Sequence, residues 1–151
     1  MTKSTPRVFL SYSYGDERSR QIVDVLRRML DERGVAVWDD RMIEPGADWA
    51  QVIDEALCRA EAFVLLIPPE SERSPRLYFD IGAAASRAAE TPGQVRLIPI
   101  LVHGAGRSEL PRRLLRWSGL DAGDLPPQEV AQEISRVLLA CEAGEGEAAC
   151  A

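Results

Sequence analysis

The stretch AFVLLI, residues 62–67, is a continuous apolar run that ends at the polar segment PPESERSPR, residues 68–76. An unbroken apolar run of this length is typical of a strand that is buried on both faces, as in a parallel sheet. Helical patterns flank it, because DWAQVIDEALCRA (48–60) has apolar residues at helical spacing and SPRLYFDIGAAAS (74–86) is typical of the start of a helix, with an acidic residue one turn in and small residues after it. A buried strand between two helices predicts a parallel sheet covered by helices.

The rest of the chain repeats this alternation. VFLSYS (8–13), VAVW (35–38) and VRLIPILV (95–102) predict three more strands, with a short fifth near Gly119 and further helices over about 16–33 and 128–142. The expected fold is α/β and flavodoxin-like: a three-layer sandwich with a central five-stranded parallel sheet and helices on both faces. We expect a disordered N-terminus over 1–6, one domain over 7–141 and a flexible acidic tail over 142–151.

Composition restricts the class of protein further. The 151 residues carry a net charge of −6 and are 46% hydrophobic, which is typical of one globular domain and argues against a nucleic-acid-binding surface. No signal peptide or membrane-spanning run is evident, so we expect a cytoplasmic protein without a membrane partner. The three cysteines and single histidine match no metal-binding spacing, so we expect reduced thiols and no metal site.

Several common motifs of α/β enzymes are missing from the sequence. SYSYGDERS, after the first predicted strand, contains neither a dinucleotide-binding nor a P-loop glycine pattern, and no GxSxG segment is present. A phosphorelay receiver is disfavoured because the third strand is followed by PPE, with proline where the acceptor aspartate would lie. His103 is expected to be a loop or strand-end residue, an interpretation favoured over a catalytic one.

Polar side chains follow the predicted strands in segments 11–16, 39–48, 68–76 and 103–107. Ligands of open parallel sheets bind beyond the carboxyl ends of the strands, so we expect the site there. Asp80 follows one of these segments and lies between Phe79 and Ile81. It is interpreted either as a functional carboxylate or as an acid in the first helical turn, where the macrodipole favours it. Trp49 either packs against its loop or offers a stacking face.

Four blocks together resemble the Toll/interleukin receptor (TIR) domain, especially its bacterial branch. They are VFLSYSYGD (8–16), VWDDRMIEPGADW (37–49), FVLLIPPESERSPRLYFDIGAAAS (63–86) and LPRRLLRWSGLD (110–121), and the resemblance spans about residues 7–140. It implies one of two functions. Some TIR domains cleave the nicotinamide–ribose bond of NAD+, depleting NAD or making an ADP-ribose-derived signal in antiphage immunity that a downstream effector senses. Others are non-catalytic scaffolds that bind other TIR domains.

The resemblance also assigns roles to residues. Asp80 occupies the position of the family's catalytic glutamate, with NAD+ as substrate and no cofactor, and Arg76 stands where the family often has tryptophan. The implied substrate contacts are Ser13, Tyr14, Asp39, Glu44, Trp49, Ser74 and Arg76. For homotypic TIR–TIR self-association, the implied loop residues are Arg41, Ile43, Pro45 and Gly46. Turnover of another nucleoside or nucleotide by a related ribosyl-transfer fold is a third, weaker alternative.

Overall fold

A computed structural model describes residues 7–13, 15–39, 42–69 and 74–142 of the chain. Within these ranges the strands are β1 (Arg7–Ser11), β2 (Ala36–Trp38), β3 (Ala62–Ile67), β4 (Arg96–Leu101) and β5 (Leu120–Asp121). The α-helices are α1 (Glu17–Glu32), α2 (Trp49–Arg59), α3 (Pro75–Glu90) and α4 (Pro127–Glu142), and two short 3-10 helices span Arg107–Glu109 and Arg112–Leu114. The predicted N-terminal tract 1–6 and residues 143–151 of the predicted tail 142–151 lie outside the described residues, whereas Glu142, placed in the tail by the prediction, is the last residue of α4.

The five strands form one parallel sheet in the order β2-β1-β3-β4-β5. All six residues of the central strand β3 are buried, as the apolar run predicted. The predicted α/β fold class is therefore confirmed. Among the described residues, no helix combines the length and the apolar character needed to cross a bilayer.

Alternation along β1 divides the core into two layers. Val8 and Leu10 pack with α1 and α4, whereas Phe9 packs with α2 and α3 on the other face of the sheet. Ser11 follows Phe9 by two residues, so its side chain points toward the α2–α3 layer. This alternation places the Ser11 hydroxyl at the carboxyl end of β1, on the side of the sheet that α3 covers.

Local signals in the sequence fix the helix starts at the same edge of the sheet. Asp16, Asp48 and Ser74 are the N-caps of α1, α2 and α3, and each side chain accepts a hydrogen bond from a backbone N–H of the first turn. Pro75 is the first residue of α3, a position that needs no hydrogen-bond donor. Because α3 begins there, Asp80 is its sixth residue and lies beyond the first turn, so the macrodipole interpretation was wrong.

Pro99 lies within β4 opposite Leu65 of β3. The ladder between β4 and β5 begins one residue later, at Ile100 and Leu120. Proline lacks a donor, so it is placed where β4 has no strand neighbour on one side. Gly119 passes so close here that a Cβ on it would lie 2.1 Å from the Pro99 carbonyl oxygen.

Candidate functional site

Asp80 is fully buried, although it carries a carboxylate. Its Oδ2 atom accepts a hydrogen bond of 2.6 Å from the Ser11 hydroxyl, and Ser11 is itself only 1% exposed. The pair joins α3 to the carboxyl end of β1, the edge where parallel sheets bind ligands. The structure thus places the predicted catalytic residue at the expected edge of the sheet, with its side chain enclosed by protein.

The buried stripe of α3 explains this orientation. Leu77, Ile81, Ala84 and Ala88 recur at helical spacing on the face that packs on the sheet, and Asp80 occupies a position within that stripe. A charged side chain at a core position costs free energy unless hydrogen bonds compensate for the lost water. Ser11 supplies one such hydrogen bond. The Ser11–Asp80 pair therefore occupies a place in the core where an apolar contact would stabilise the fold more.

Trp49, Arg76 and Phe79 form a second cluster beside this pair. The rings of Trp49 and Phe79 meet edge to face with centroids 4.7 Å apart, and the Arg76 guanidinium lies 4.4 Å from the centre of the Trp49 ring. Trp49 is 37% exposed and Phe79 is 38% exposed. Two predicted contacts, Trp49 and Arg76, are therefore together at the surface and can present an aromatic face and a cation to a flat anionic ligand.

Asp39 lies elsewhere, although the sequence suggested a substrate contact. Its carboxylate is fully buried and pairs with the guanidinium of Arg27 from α1. Arg27 also donates to the carbonyl oxygen of Val37 at 3.4 Å. These contacts fasten the end of β2 to α1, and the predicted role in substrate binding stays a prediction.

Of the other predicted residues, those that the structure describes lie in the segments that follow β1, β2 and β3. Ser13 is half-buried, and Ser74 caps α3 by accepting from the Leu77 N–H at 3.4 Å. Glu44 and Pro45 are exposed, and Gly46 has a φ of +90°, a left-handed turn conformation that suits glycine. Ile43 is half-buried and packs against the core on the α2–α3 side. Tyr14 and Arg41 lie outside the described residues.

A third polar cluster joins the first turn of α1 to the loop after β4. The Oδ2 atom of Asp16 lies 2.6 Å from both Ser19 Oγ and His103 Nε2, and these two atoms are 3.1 Å apart. Partial burial acts to raise the pKa of Asp16, but the Ser19 hydrogen bond and the attraction and hydrogen bond of His103 outweigh it, so its pKa lies below the usual value. His103 has a φ of +57°. One His103 nitrogen serves both partners and Ser19 is fully buried, so the cluster lacks the geometry of a nucleophilic triad.

The structure adds three residues that the sequence reasoning did not single out: Ser11, which bonds to Asp80, and Phe79 and Arg113, which line one groove with Trp49. Ser11 and Phe79 could have been predicted, because strand alternation from Phe9 and helical periodicity from Leu77 determine the directions of their side chains. Arg113 was not, because its position against Gly82 depends on packing between segments 31 residues apart. Among the described residues, no three His, Cys, Asp or Glu side chains are grouped as a metal site.

The sheet order, the buried strand and the polar edge define an α/β domain of flavodoxin-like architecture. The profile of the TIR domain family matches residues 8–138, which is most of the chain, and the protein belongs to this family. An uncharacterized protein of Sinorhizobium fredii, y4lF, is 26% identical over 140 residues, which cover 85% of this chain and 43% of that protein. The chain thus spans less than half the length of that relative.

Solved structures of low identity share the fold. The TIR domain of the Toll-related receptor TRR-2 from Hydra magnipapillata superimposes with a TM-score of 0.63 at 18% identity, covering 89% of this chain and 95% of that one. The CMP N-glycosidase BcmB from Clostridium botulinum superimposes with a TM-score of 0.58 at 22% identity, covering 85% and 96%. At these identities the likeness establishes the common fold.

Proposed function

We propose that this TIR domain cleaves the N-glycosidic bond between nicotinamide and ribose in NAD+, with Asp80 as the catalytic carboxylate. The observation that carries the proposal is the carboxylate at a core position of α3, beside the edge where parallel sheets bind ligands. Ionisable groups held in the core at a ligand edge are candidates for function, because folding alone favours apolar residues there. The N-glycosidase BcmB, which shares the fold, supports an N-glycosidic bond as the class of target.

The proposed reaction needs no metal or cofactor. The bond between ribose C1′ and the pyridinium nitrogen breaks, its electron pair neutralises the ring, and nicotinamide leaves. Positive charge develops on the ribose in the transition state, as in glycoside cleavage, and a carboxylate nearby stabilises it. The oxygen of water, or an oxygen of the substrate itself in a cyclisation, then bonds to C1′ and a proton is released.

The Trp49, Arg76 and Phe79 cluster is the proposed contact for the rest of the dinucleotide. Exposed aromatic rings stack on flat bases, and a guanidinium attracts phosphate. Ser13, Tyr14, Asp39, Glu44 and Ser74 remain proposed contacts. The product is proposed to serve in cytoplasmic immune signalling, read by a downstream effector.

The burial of Asp80 adds a condition to this proposal. With 0% of Asp80 exposed, substrate reaches the carboxylate only when the edge of the sheet opens. Self-association of subunits is the proposed trigger, since binding that favours an open state shifts the population toward it. A dilute sample is therefore expected to be less active per subunit than a concentrated one.

The test is release of nicotinamide from NAD+, followed by chromatography over a range of protein concentrations. Wild type is expected to release nicotinamide, and Asp80→Ala to lose at least about a hundredfold in rate, as for other groups that stabilise transition-state charge. Glu90→Ala is the matched control, because Glu90 is an exposed acid on the same helix. No release by wild type at any concentration would remove the proposal, and CMP in a parallel reaction reveals a different N-glycosidic substrate.

The alternative function is a non-catalytic scaffold that binds other TIR domains. Two observations favour it: Asp80 is closed off in the fold, and Arg76 lies where the family often has tryptophan. This alternative predicts self-association that changes with substitutions at Arg41, Ile43 or Pro45 and no nicotinamide in any sample. A wild-type sample that assembles and releases nicotinamide contradicts it.

A further inference from the structure

Strand β1 carries a hydroxyl in an otherwise apolar part of the core. Residues 8–10 are apolar and buried, and Ser11 ends the strand at 1% exposure. Its neighbour across the ladder is Leu65 of β3, which is fully buried. A buried hydroxyl in apolar surroundings is unfavourable unless it forms a hydrogen bond, and the Asp80 carboxylate is the partner that the structure gives it.

The geometry of the hydrogen bond between Ser11 and Asp80 favours an ionised carboxylate. The two oxygens are 2.6 Å apart, which is typical of a hydroxyl that donates to a charged oxygen and shorter than the usual separation of neutral groups. Burial disfavours the charged form of a carboxyl group, whereas a hydroxyl that donates to it favours that form. Ser11 therefore helps Asp80 to keep the negative charge that stabilises a developing cation on the ribose.

The sheet fixes the position of the Ser11 hydroxyl. Strand β1 lies between β2 and β3 and pairs with both, and Ser11 itself is part of the ladder with β3. Asp80 comes from α3, 69 residues further along the chain. Groups on strands and helices hold the geometry of a site more tightly than groups on loops. A donor held by a central strand therefore restricts the direction in which the carboxylate points.

Packing alone does not account for this pair of polar residues. Replacing both members of a buried polar pair by apolar residues is often neutral or stabilising, whereas removing one member leaves the other without its partner. Ile81 and Ala84 lie on the same buried stripe as Asp80, so apolar side chains suit this layer of the core. A role at the ligand edge of the sheet therefore explains the pair better than folding does.

We infer that Ser11 is a positioning residue for the reaction proposed above: its hydroxyl orients the Asp80 carboxylate and favours its ionised form. Ser11 acts through Asp80 in this role and does not contact the substrate. The inference rests on the proposed function, since the direction of the carboxylate affects the rate only if Asp80 promotes the cleavage. It adds an uncharged residue of β1 to the residues on which that rate depends.

The test compares nicotinamide release from NAD+ by wild type, Ser11→Ala, Ser11→Cys and Ser11→Thr. A misdirected carboxylate stabilises the transition state less, so Ser11→Ala is expected to lower kcat about ten- to hundredfold with KM unchanged. Ser11→Thr keeps the hydroxyl and is expected to restore most of kcat. Ser11→Cys offers a weak donor of similar size, so its kcat should lie between those of Ser11→Ala and wild type.

Two controls separate a loss of position from a loss of stability. All rates are measured well below the melting temperatures, where circular dichroism shows that each variant is folded. Ile134→Val is the matched control, because Ile134 is buried on α4 in the other layer of the core and its truncation destabilises the fold by ordinary packing. This variant should leave kcat unchanged.

Infrared spectra report the charge of Asp80 without any turnover. The difference between each protein and its own Asp80→Asn variant shows whether the carboxyl group carries a proton at neutral pH. Wild type is expected to show the ionised carboxylate, and Ser11→Ala is expected to show a larger protonated share, because it has lost a donor to the charged form. Identical difference spectra for the two proteins would overturn this part of the role.

The outcomes distinguish this inference from the proposed function. If wild type releases nicotinamide and Ser11→Ala does so with the same kcat, or if Ser11→Thr and Ser11→Cys lose as much as Ser11→Ala, the inference falls and the proposed function stands. A change confined to KM assigns Ser11 to substrate binding and also overturns the positioning role. No nicotinamide from any of the proteins removes the proposed function and the positioning role together. Where threonine does not fit the buried site, the comparison of Ser11→Cys with Ser11→Ala decides.

Discussion

Removal of the Ser11 hydroxyl should destabilise the fold through Asp80. The two side chains are 1% and 0% exposed and their oxygens are 2.6 Å apart, so water does not replace the lost donor. Removing one partner of a buried hydrogen bond costs about 1–3 kcal/mol, and Ser11→Ala should lower the free energy of unfolding by that amount. For a chain of this size, the loss corresponds to a fall in Tm of about 2–12 °C.

A double-mutant cycle shows whether the effect passes through the carboxylate. In the Asp80→Ala background, Ser11→Ala removes a hydroxyl that no longer has its acceptor, so its cost should fall to near zero. The coupling energy is then about 1–3 kcal/mol, within the range of residues in direct contact. Urea titration of the four proteins, fitted with one common slope, gives the free energies.

Ser135→Ala is the control for this cycle. Ser135 is a buried serine on α4, with no side-chain hydrogen bond to a described residue, and alanine suits a helix better. We expect this substitution to be neutral or slightly stabilising and to add to the others without coupling. An equal cost of Ser11→Ala in the wild-type and Asp80→Ala backgrounds would refute the account of the buried pair.

Three further predictions concern the frame of the site. Gly119→Ala should cost about 3 kcal/mol or more, because its Cβ would lie 2.1 Å from the Pro99 carbonyl oxygen; a wild-type melting temperature contradicts the packing. Arg27→Met should lower the free energy of unfolding by about 1.5–3 kcal/mol, measured by urea titration, because it removes the guanidinium that pairs with the buried Asp39 carboxylate. Arg27 is itself one-third exposed, which limits the loss. Adding Asp39→Asn should recover part of it. The pKa of Asp16 is lower in the folded chain than its ordinary value of 3.8, so between these two values the unfolded chain binds more protons than the folded one. The free energy of unfolding therefore falls as the pH falls through that window. In an acid titration, Asp16→Asn should lack this part of the dependence of stability on pH.

Much of the fold was predictable because its signals are local. The apolar run of β3, the caps Asp48 and Ser74 and the alternation in β1 each depend on neighbours within a few residues. The burial of Asp80 was also predictable in principle, since it continues the stripe of Leu77 three residues earlier. The alternative that assigned Asp80 to the first turn of α3 did not use this stripe.

Long-range contacts set the limit of the prediction. The rule that ligands bind beyond strand ends placed Asp39 among the candidate contacts, but its partner Arg27 comes from a neighbouring helix. The cluster of Asp16 and His103 joins residues 87 positions apart, and neither spacing nor composition indicates it. Such pairs depend on how the helices pack on the sheet, and no pattern of neighbouring residues in the sequence determines that packing.

The central claim is that the Asp80 carboxylate promotes cleavage of NAD+, and one comparison tests it most directly. Nicotinamide release is measured for wild type, Asp80→Glu and Asp80→Ala at equal concentrations, after melting curves show that all three are folded. Glutamate extends the carboxylate by about 1.3 Å toward the edge of the sheet. The account predicts release in the order Asp80→Glu, wild type, Asp80→Ala, with the last at background. Release by Asp80→Ala equal to wild type, or none from any of the three, would contradict it.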